Sequence, residues 1–412
     1  MPSHGACSRR SGPHSPGPGL LIVLAVALLL ASPGPHAAQA QPDDWADSGE
    51  SVAMLRGSAA RTGVHPGPGP TSSPKHVWSV HLGDLIVSSP VVADELVYIG
   101  SVSPTIAAGG ALHALDLQTG VEIWRVDLDR GDGILSTPAV ANGVVYVATY
   151  DGVVLAIDGT TGEEVWRSTL DEPIYYSSPA VEDGVLYVGD IGGRLYALDT
   201  EDGRREWEFA VGEGNERSVG TPAVADGRVY VVAQSARRNE PTELFALDAE
   251  TGEEHWSFVA EDAGEVRGTP AVADGRVYVP TTLGSVYALS ARDGSVDWRF
   301  DSEREISATS TVVVDDEVIV GTDDGALHAV DAETGERTRN LPDMTGGGFL
   351  TSPTVADGVV YSVDTGGALY AVDLDAEKEL WTVDTASLGS SPAIIDGLVV
   401  IGDEFGFLVA FG

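Results

Sequence analysis

The chain has 412 residues with 63 acidic and 23 basic side chains, a formal charge of -40. That balance excludes a nucleic-acid binder held by phosphate contacts, which needs a basic face, and disfavours docking on anionic lipid. Hydrophobic residues make up 43% and charged residues 21%, enough for a large core, and the 50 glycines follow no collagen-like period.

At the N-terminus, Arg9 and Arg10 precede an apolar run from Leu20 to Leu30, then Pro33-Gly34 and Ala38-Gln39-Ala40. A basic start, a short apolar core and an A-x-A site predict a cleavable secretory signal over residues 1–40. The run is too short for an ordinary spanning helix of about 20 residues. Cleavage after Ala40 would remove Cys7, the single cysteine, leaving no thiol, no disulfide and no integral membrane segment. The expected product is secreted, extracellular or periplasmic. Its carboxylate-rich surface suits a salt-rich medium that screens self-repulsion; an ordinary acidic secreted protein is the alternative. Residues 41–74 then form a lead-in segment and 75–412 the folded body.

Lys75 to Leu82, with Trp78, reads as the fourth strand of a unit whose first three are missing. From there a repeat sets the fold. Ser-Pro or Thr-Pro recurs at Ser89, Thr137, Ser178, Thr221, Thr269, Ser352 and Ser391, with Ser310-Thr311 in the remaining slot. The spacings are 48, 41, 43, 48, 41, 42 and 39 residues, and a period of this size with four short strands per unit marks a propeller. One unit shows the strands: Ser136–Ala141, the turn Asn142-Gly143, Val144–Tyr150, Asp151-Gly152, Val153–Asp158, Thr161-Gly162, then Glu163–Arg167. These runs are too short and too β-branched for helices. The eighth unit stops at Gly412 without a fourth strand, so pairing it with 75–82 removes two sheet edges and closes an eight-bladed ring of four-stranded antiparallel blades. Proline in the first strand fits an edge lining a central channel, where a missing N–H is tolerated.

The third turn carries a longer motif. Ala114-x-Asp116-x-x-Thr119-Gly120-x-x-x-Trp124 recurs around Asp158 and Trp166, Asp199 and Trp207, and Asp248 and Trp256. It resembles the tryptophan-docking repeat of PQQ-like β-propellers, over roughly residues 75–412. The same resemblance makes Met54-Leu55-Arg56-Gly57 and Arg61-Thr62-Gly63 the segment that many members carry before blade one. The motif has a structural rationale. The aspartate accepts turn amides, glycine permits positive φ, and the indole buries a flat surface between blades. Trp124, Trp166, Trp207, Trp256, Trp298 and Trp381 are expected to join blades, and Trp78 to do so in the closing strand. Blade six departs from the pattern: Asp315-Asp316 replaces Asp-Gly and Arg339 stands in the tryptophan slot. It is expected to be the least stable seam.

The resemblance implies two functions. PQQ-dependent dehydrogenases share the architecture and carry a vicinal cysteine pair, a Ca²⁺ ion with the quinone, and an aspartate base. Residues 41–412 contain no cysteine and no C-x-x-C-H haem motif, so that pair cannot form here. BamB-like members are non-catalytic, and a monomeric scaffold binding a protein or small ligand, without a cofactor or metal, is the favoured expectation. No H-E-x-x-H or G-x-S-x-G pattern offers other chemistry. His113 and His328 occupy a strand position that holds tyrosine in other blades, so packing is expected of them.

The lead-in loops of each blade and the loops between second and third strands share one face. There, Tyr175, Tyr176 and Phe349, with Arg217, Arg237, Arg238 and Arg267, form a candidate surface for a partner or an anion. Local pairing with Glu213, Glu216, Glu240 and Glu265 is the competing expectation.

Overall fold

In the computed structural model the described residues are 54–104, 109–129, 131–212, 217–235, 242–261, 264–266, 268–306, 309–344, 347–349, 351–385 and 390–412. The chain divides into two units, Met1–Asp44 and Trp45–Gly412, and every described residue belongs to the second. The expected signal over 1–40 therefore lies outside the described residues. No described helix is long and apolar enough to cross a membrane.

The fold is all-β, an eight-bladed propeller of antiparallel four-stranded blades. Blade two is typical, with Ala139–Ala141, Val144–Ala148, Val153–Asp158 and Glu164–Thr169 in consecutive order. Its first strand is shorter than expected because Ser136-Thr137-Pro138 leaves the ladder. Proline has no N–H to give, and Ser136 Oγ instead donates to the Ala148 carbonyl at 2.9 Å. Blade eight combines Ala393–Ile395, Leu398–Gly402 and Phe407–Phe411 with His76–His81, in the register Trp78 to Ala410 and Val80 to Leu408. Blade four gains a further strand, Arg217–Val219, on the long strand Arg228–Ser235.

The first hairpin of every blade but the sixth turns on a left-handed pair such as Asn142-Gly143, at φ 52° and 76°, and in blade six only Asp315 is left-handed, at φ 48°. Blade one places Glu95 there at φ 64°. At the third turn, Asp116 Oδ1 accepts from the Thr119 amide at 2.8 Å and its hydroxyl at 2.6 Å. Asp158 and Asp248 repeat this at 2.8 and 2.9 Å from the Thr161 and Thr251 amides, and Asp199 accepts from Glu201 at 2.7 Å. These bonds hold the Asp158 and Asp248 carboxyls below their ordinary pKa.

The glycine of this turn lies under the indole of the preceding blade. A Cβ on Gly162 would stand 2.9 Å from Trp124 Cδ2, and its φ of 74° is left-handed as well. Each indole N–H then donates to a carbonyl of the next blade: Trp78 to Leu117, Trp124 to Gly159, Trp166 to Thr200, Trp207 to Ala249, Trp256 to Ala291 and Trp298 to Ala332, all at 2.8–3.1 Å. Trp381 faces the split blade and uses Pro70 of the lead-in segment, at 2.7 Å. In blade six Arg339 Nη1 donates to the equivalent Leu374 carbonyl, while its Nε reaches Glu317 at 2.8 Å.

The Ser/Thr-Pro column has a role beyond spacing. The Ser89 amide donates to Thr137 Oγ1, Thr137 to Ser178 Oγ, Ser178 to Thr221 Oγ1, Thr269 to Ser310 Oγ and Ser310 to Ser352 Oγ, each at 2.9–3.0 Å. One hydroxyl from each of blades two, three, four, six and seven thus links it to the blade before.

Candidate functional site

The centre of the propeller is filled by the chain itself. The amides of Val224, Val272, Val313 and Val355, on the first strands of blades four to seven, donate to the carbonyls of Ala59, Ala60, Thr62 and Gly63 at 2.8–2.9 Å. His65 N returns a bond to the Val355 carbonyl at 2.8 Å, Val64 bridges Val355 in parallel, and Gly397 N donates to Pro68. This corrects the expectation of bare edges along a channel. An unpaired strand amide needs a partner away from water, and the lead-in segment supplies it.

Two arginines secure this plug. Arg61 is wholly buried at φ 59°. Its Nε donates to Pro222 O at 3.1 Å, Nη1 to Leu55 O at 2.7 Å, and Nη2 to Pro179 O at 2.7 Å and Ser178 O at 3.3 Å. It therefore ties blades three and four to the axis through carbonyls on the Ser/Thr-Pro column. Arg56 donates through Nε to Arg61 O at 3.0 Å and through Nη2 to the Thr311 carbonyl. His65 Nδ1 accepts the Ile394 amide at 3.1 Å, which makes the imidazole neutral with its proton on Nε2. Burial, reinforced by the Arg56 charge, pushes the His65 pKa down to about 3.

A cavity of about 10 Å³ remains beside Met54, Arg56, His65, Ser89 and Ser352. That is room for one water-sized sphere, not a tricyclic quinone. Its ionisable neighbours are cationic or neutral, whereas Ca²⁺ needs carboxylate and carbonyl oxygens. Among the described residues no group of three or more His, Cys, Asp or Glu could hold a metal ion. The residues of the channel do not fit a Ca²⁺–quinone group.

One constellation escaped the sequence reading. Ser101 Oγ lies 3.1 Å from His113 Nε2, and His113 Nδ1 lies 2.7 Å from Glu122 Oε1. This is the geometry of an acyl-transfer triad. However, Ser101 and His113 have no exposed surface, so no substrate carbonyl can reach the hydroxyl. Burial pushes the His113 pKa down against the bond to Glu122. The position packs, as does His328, whose Nδ1 faces Arg337 Nη2 at 2.8 Å.

The loop-face candidates separate. Tyr175 stacks on Tyr150 at 4.9 Å with their hydroxyls 3.0 Å apart, and Tyr176 stands edge-on to it, 66% exposed. Arg217 is engaged by Glu243 at 3.1 Å. Arg237, Arg238 and Arg267 lie outside the described residues, as do Glu213, Glu216 and Glu240. Phe349 requires correction as a contact residue. It is 1% exposed and packs where Gly321 leaves space, since a Cβ there would stand 2.6 Å from its ring. It continues a buried column in the lead-in loops: Ile86, Ile134, Ile174, Val219, Val266 and Ile306. The signal was present, an apolar residue two to four positions before each Ser/Thr-Pro step.

Comparison with known proteins agrees with this architecture. The family model described as outer membrane protein assembly factor BamB matches residues 151–239 and 222–411, more than half of the chain. The chain is 28% identical to BamB of Yersinia pestis over 306 residues, 70% of this chain and 67% of that protein. A segment of 106 residues is 34% identical to the quinohemoprotein alcohol dehydrogenase of Comamonas testosteroni, covering 23% of this chain and 14% of that protein. The chain thus spans about one seventh of that dehydrogenase. The crystal structure of BamB from Moraxella catarrhalis superposes with a TM-score of 0.63 at 19% identity, covering 82% of this chain and 99% of that one. The chain belongs to the PQQ-like β-propeller family represented by outer membrane protein assembly factor BamB.

Proposed function

We propose that this chain is a secreted or cell-surface, non-catalytic scaffold, acting as a monomer, that docks a protein partner on its lead-in face. The observation that carries this reading is the distribution of exposed apolar side chains. Of the nine exposed large apolar side chains among the described residues, four, Tyr176 at 66%, Leu283 at 60%, Phe405 at 50% and Val87 at 44%, sit in lead-in loops or loops between second and third strands, while Val121 lies in a third turn and Ile123, Val165, Val296 and Phe407 lie on strands. Exposed apolar groups on loops held by a rigid ring are the usual means of binding a partner. The outer membrane assembly factors among its relatives support a location outside the cytoplasm. The excess of 63 acidic over 23 basic side chains supports a saline one, and unfolding with no gain in stability in molar KCl contradicts that part.

The dehydrogenase reading has the Comamonas testosteroni segment in its favour, but the cavity at the channel holds only one water-sized sphere and has no carboxylate in its lining. A photo-crosslinking residue placed in turn at Tyr176, Leu283 and Phe405, and at Asn142 and Asp357 on the opposite turns, tests the scaffold in the living host. Crosslinks to one polypeptide from the lead-in face alone support it. Equal labelling from both faces, or none from the lead-in face, contradicts it.

A further inference from the structure

Two departures from the repeat meet in one cleft. The first strand ends on alanine, valine or isoleucine in seven blades and on Glu182 in blade three. The turn that follows opens with aspartate in seven blades and with Asn142 in blade two. Asn142, Glu182 and Asp183 line a cleft of about 320 Å³ between these two blades, on the face opposite the lead-in loops. Ala141, Tyr146 and Val181 are its apolar lining. Its far wall is fixed by hydrogen bonds. The Thr200 amide and hydroxyl donate to the Gly184 carbonyl at 3.0 and 2.9 Å. The Trp166 indole and the Tyr146 hydroxyl donate to the Thr200 carbonyl at 2.9 and 3.4 Å.

The lining holds two carboxylates and no cation, and neither Glu182 nor Asp183 makes an ion pair with a described residue. On the outer strands such groups are answered by arginine, as Asp171 is by Arg194 and Arg205, and Asp297 by Arg276. Partial burial, and then the Asp183 charge, raise the Glu182 pKa, so the pair is short of positive charge. An aspartate at position 142 would add a third like charge, whereas the Asn142 carboxamide offers a neutral acceptor. A primary ammonium carries three donors, and methylenes cover alanine and valine surface. The volume falls within the range of small-molecule clefts, about 300–1,000 Å³. A metal ion lacks a third ligand here, since no described group of three His, Cys, Asp or Glu exists.

We propose that this cleft binds a small aliphatic diamine or polyamine. One ammonium meets Glu182 and the Asn142 carboxamide oxygen, a second meets Asp183, and the methylenes between them cover Ala141 and Val181. The site is separate from the lead-in face and does not depend on the scaffold reading.

Calorimetric titration of the full chain with 1,4-diaminobutane and with spermidine tests this, in salt that screens diffuse attraction to the acidic surface. One saturable site per chain is expected. Glu182→Ala installs the residue that most other blades carry, so the fold tolerates it, and it should weaken binding roughly 10–100-fold. Glu182→Gln keeps the shape and should weaken binding comparably. Asp357→Asn removes a carboxylate from the matching turn of blade seven and should leave the affinity unchanged. Butylamine, with one ammonium, should bind about tenfold more weakly than the diamine. Absence of saturable binding overturns the site. So does an equal loss in Glu182→Ala and Asp357→Asn, which reports diffuse attraction, or displacement of the diamine by Mg²⁺ at matched ionic strength, which reports a general cation site.

Discussion

Trp124 Nε1 and the Tyr98 hydroxyl converge on one acceptor, the Gly159 carbonyl of the next blade, at 2.8 and 3.1 Å. The rings are 5.9 Å apart and tilted by 42°. The pair recurs as Tyr187 with Trp207 on Ala249, as Tyr278 with Trp298 on Ala332, and as Tyr361 with Trp381 on Pro70. Burial, with Asp94 and Asp158 nearby, pushes the Tyr98 pKa up to about 12, so it remains a donor at any working pH.

A shared acceptor predicts non-additive losses. Tyr98→Phe removes one donor and leaves the carbonyl paired, for a loss of about 1 kcal/mol. Trp124→Phe loses packing as well. The double variant leaves the carbonyl without either donor, so its loss should exceed the sum by about 0.5–1 kcal/mol. A double-mutant cycle by thermal unfolding measures this, and strict additivity contradicts the shared-acceptor account.

Blade six has Ile319 in place of the tyrosine and Arg339 in place of the tryptophan, and its outer strand is only Arg337–Arg339. Across the seam to blade seven Arg339 reaches the Leu374 carbonyl and Asp375, whose side chain is 96% exposed, while its other partner, Glu317, is on blade six itself. Exposed ion pairs are weak and screened by salt. In native-state hydrogen exchange, the amides of the third and fourth strands of blade six should open before their equivalents in other blades. Uniform protection around the propeller would refute this.

His65 predicts a pH dependence. Its folded pKa, lowered to about 3 by burial and by Arg56, lies below the ordinary imidazole value near 6.5. Between these values the unfolded chain holds a proton that the folded chain refuses. Stability is therefore full above about pH 6.5 and falls as pH drops towards about 3, by at most about 1.4 kcal/mol per pH unit. His65→Asn keeps an acceptor for the Ile394 amide and does not titrate. Denaturation midpoints between about pH 6.5 and 4 should slope less steeply in that variant; an unchanged slope would rule out His65 as the source.

Much of this was legible because a propeller repeats each constraint. The Asp-x-x-Thr-Gly-x-x-x-Trp spacing fixed the third turn, and the unpaired strand around Trp78 fixed closure against Phe407–Phe411. The plug was not legible. Arg56, Arg61 and His65 occur once, and nothing in their spacing tells that their partners stand at Thr311, Ser178, Pro222 and Ile394. The Tyr98 column was visible as a repeat, but its hydroxyl could be assigned only once Gly159 was in place. Phe349 misled because an aromatic side chain in a loop suggests a surface, while the space left by Gly321 is a property of the packed blade.

The lead-in segment bonds to the first strands along the propeller's axis, where the residues do not fit a Ca²⁺–quinone group. Titrating the protein with PQQ and Ca²⁺ at high salt, followed by tryptophan fluorescence, tests it most directly. The account predicts no saturable quenching; one-to-one saturable binding would contradict it.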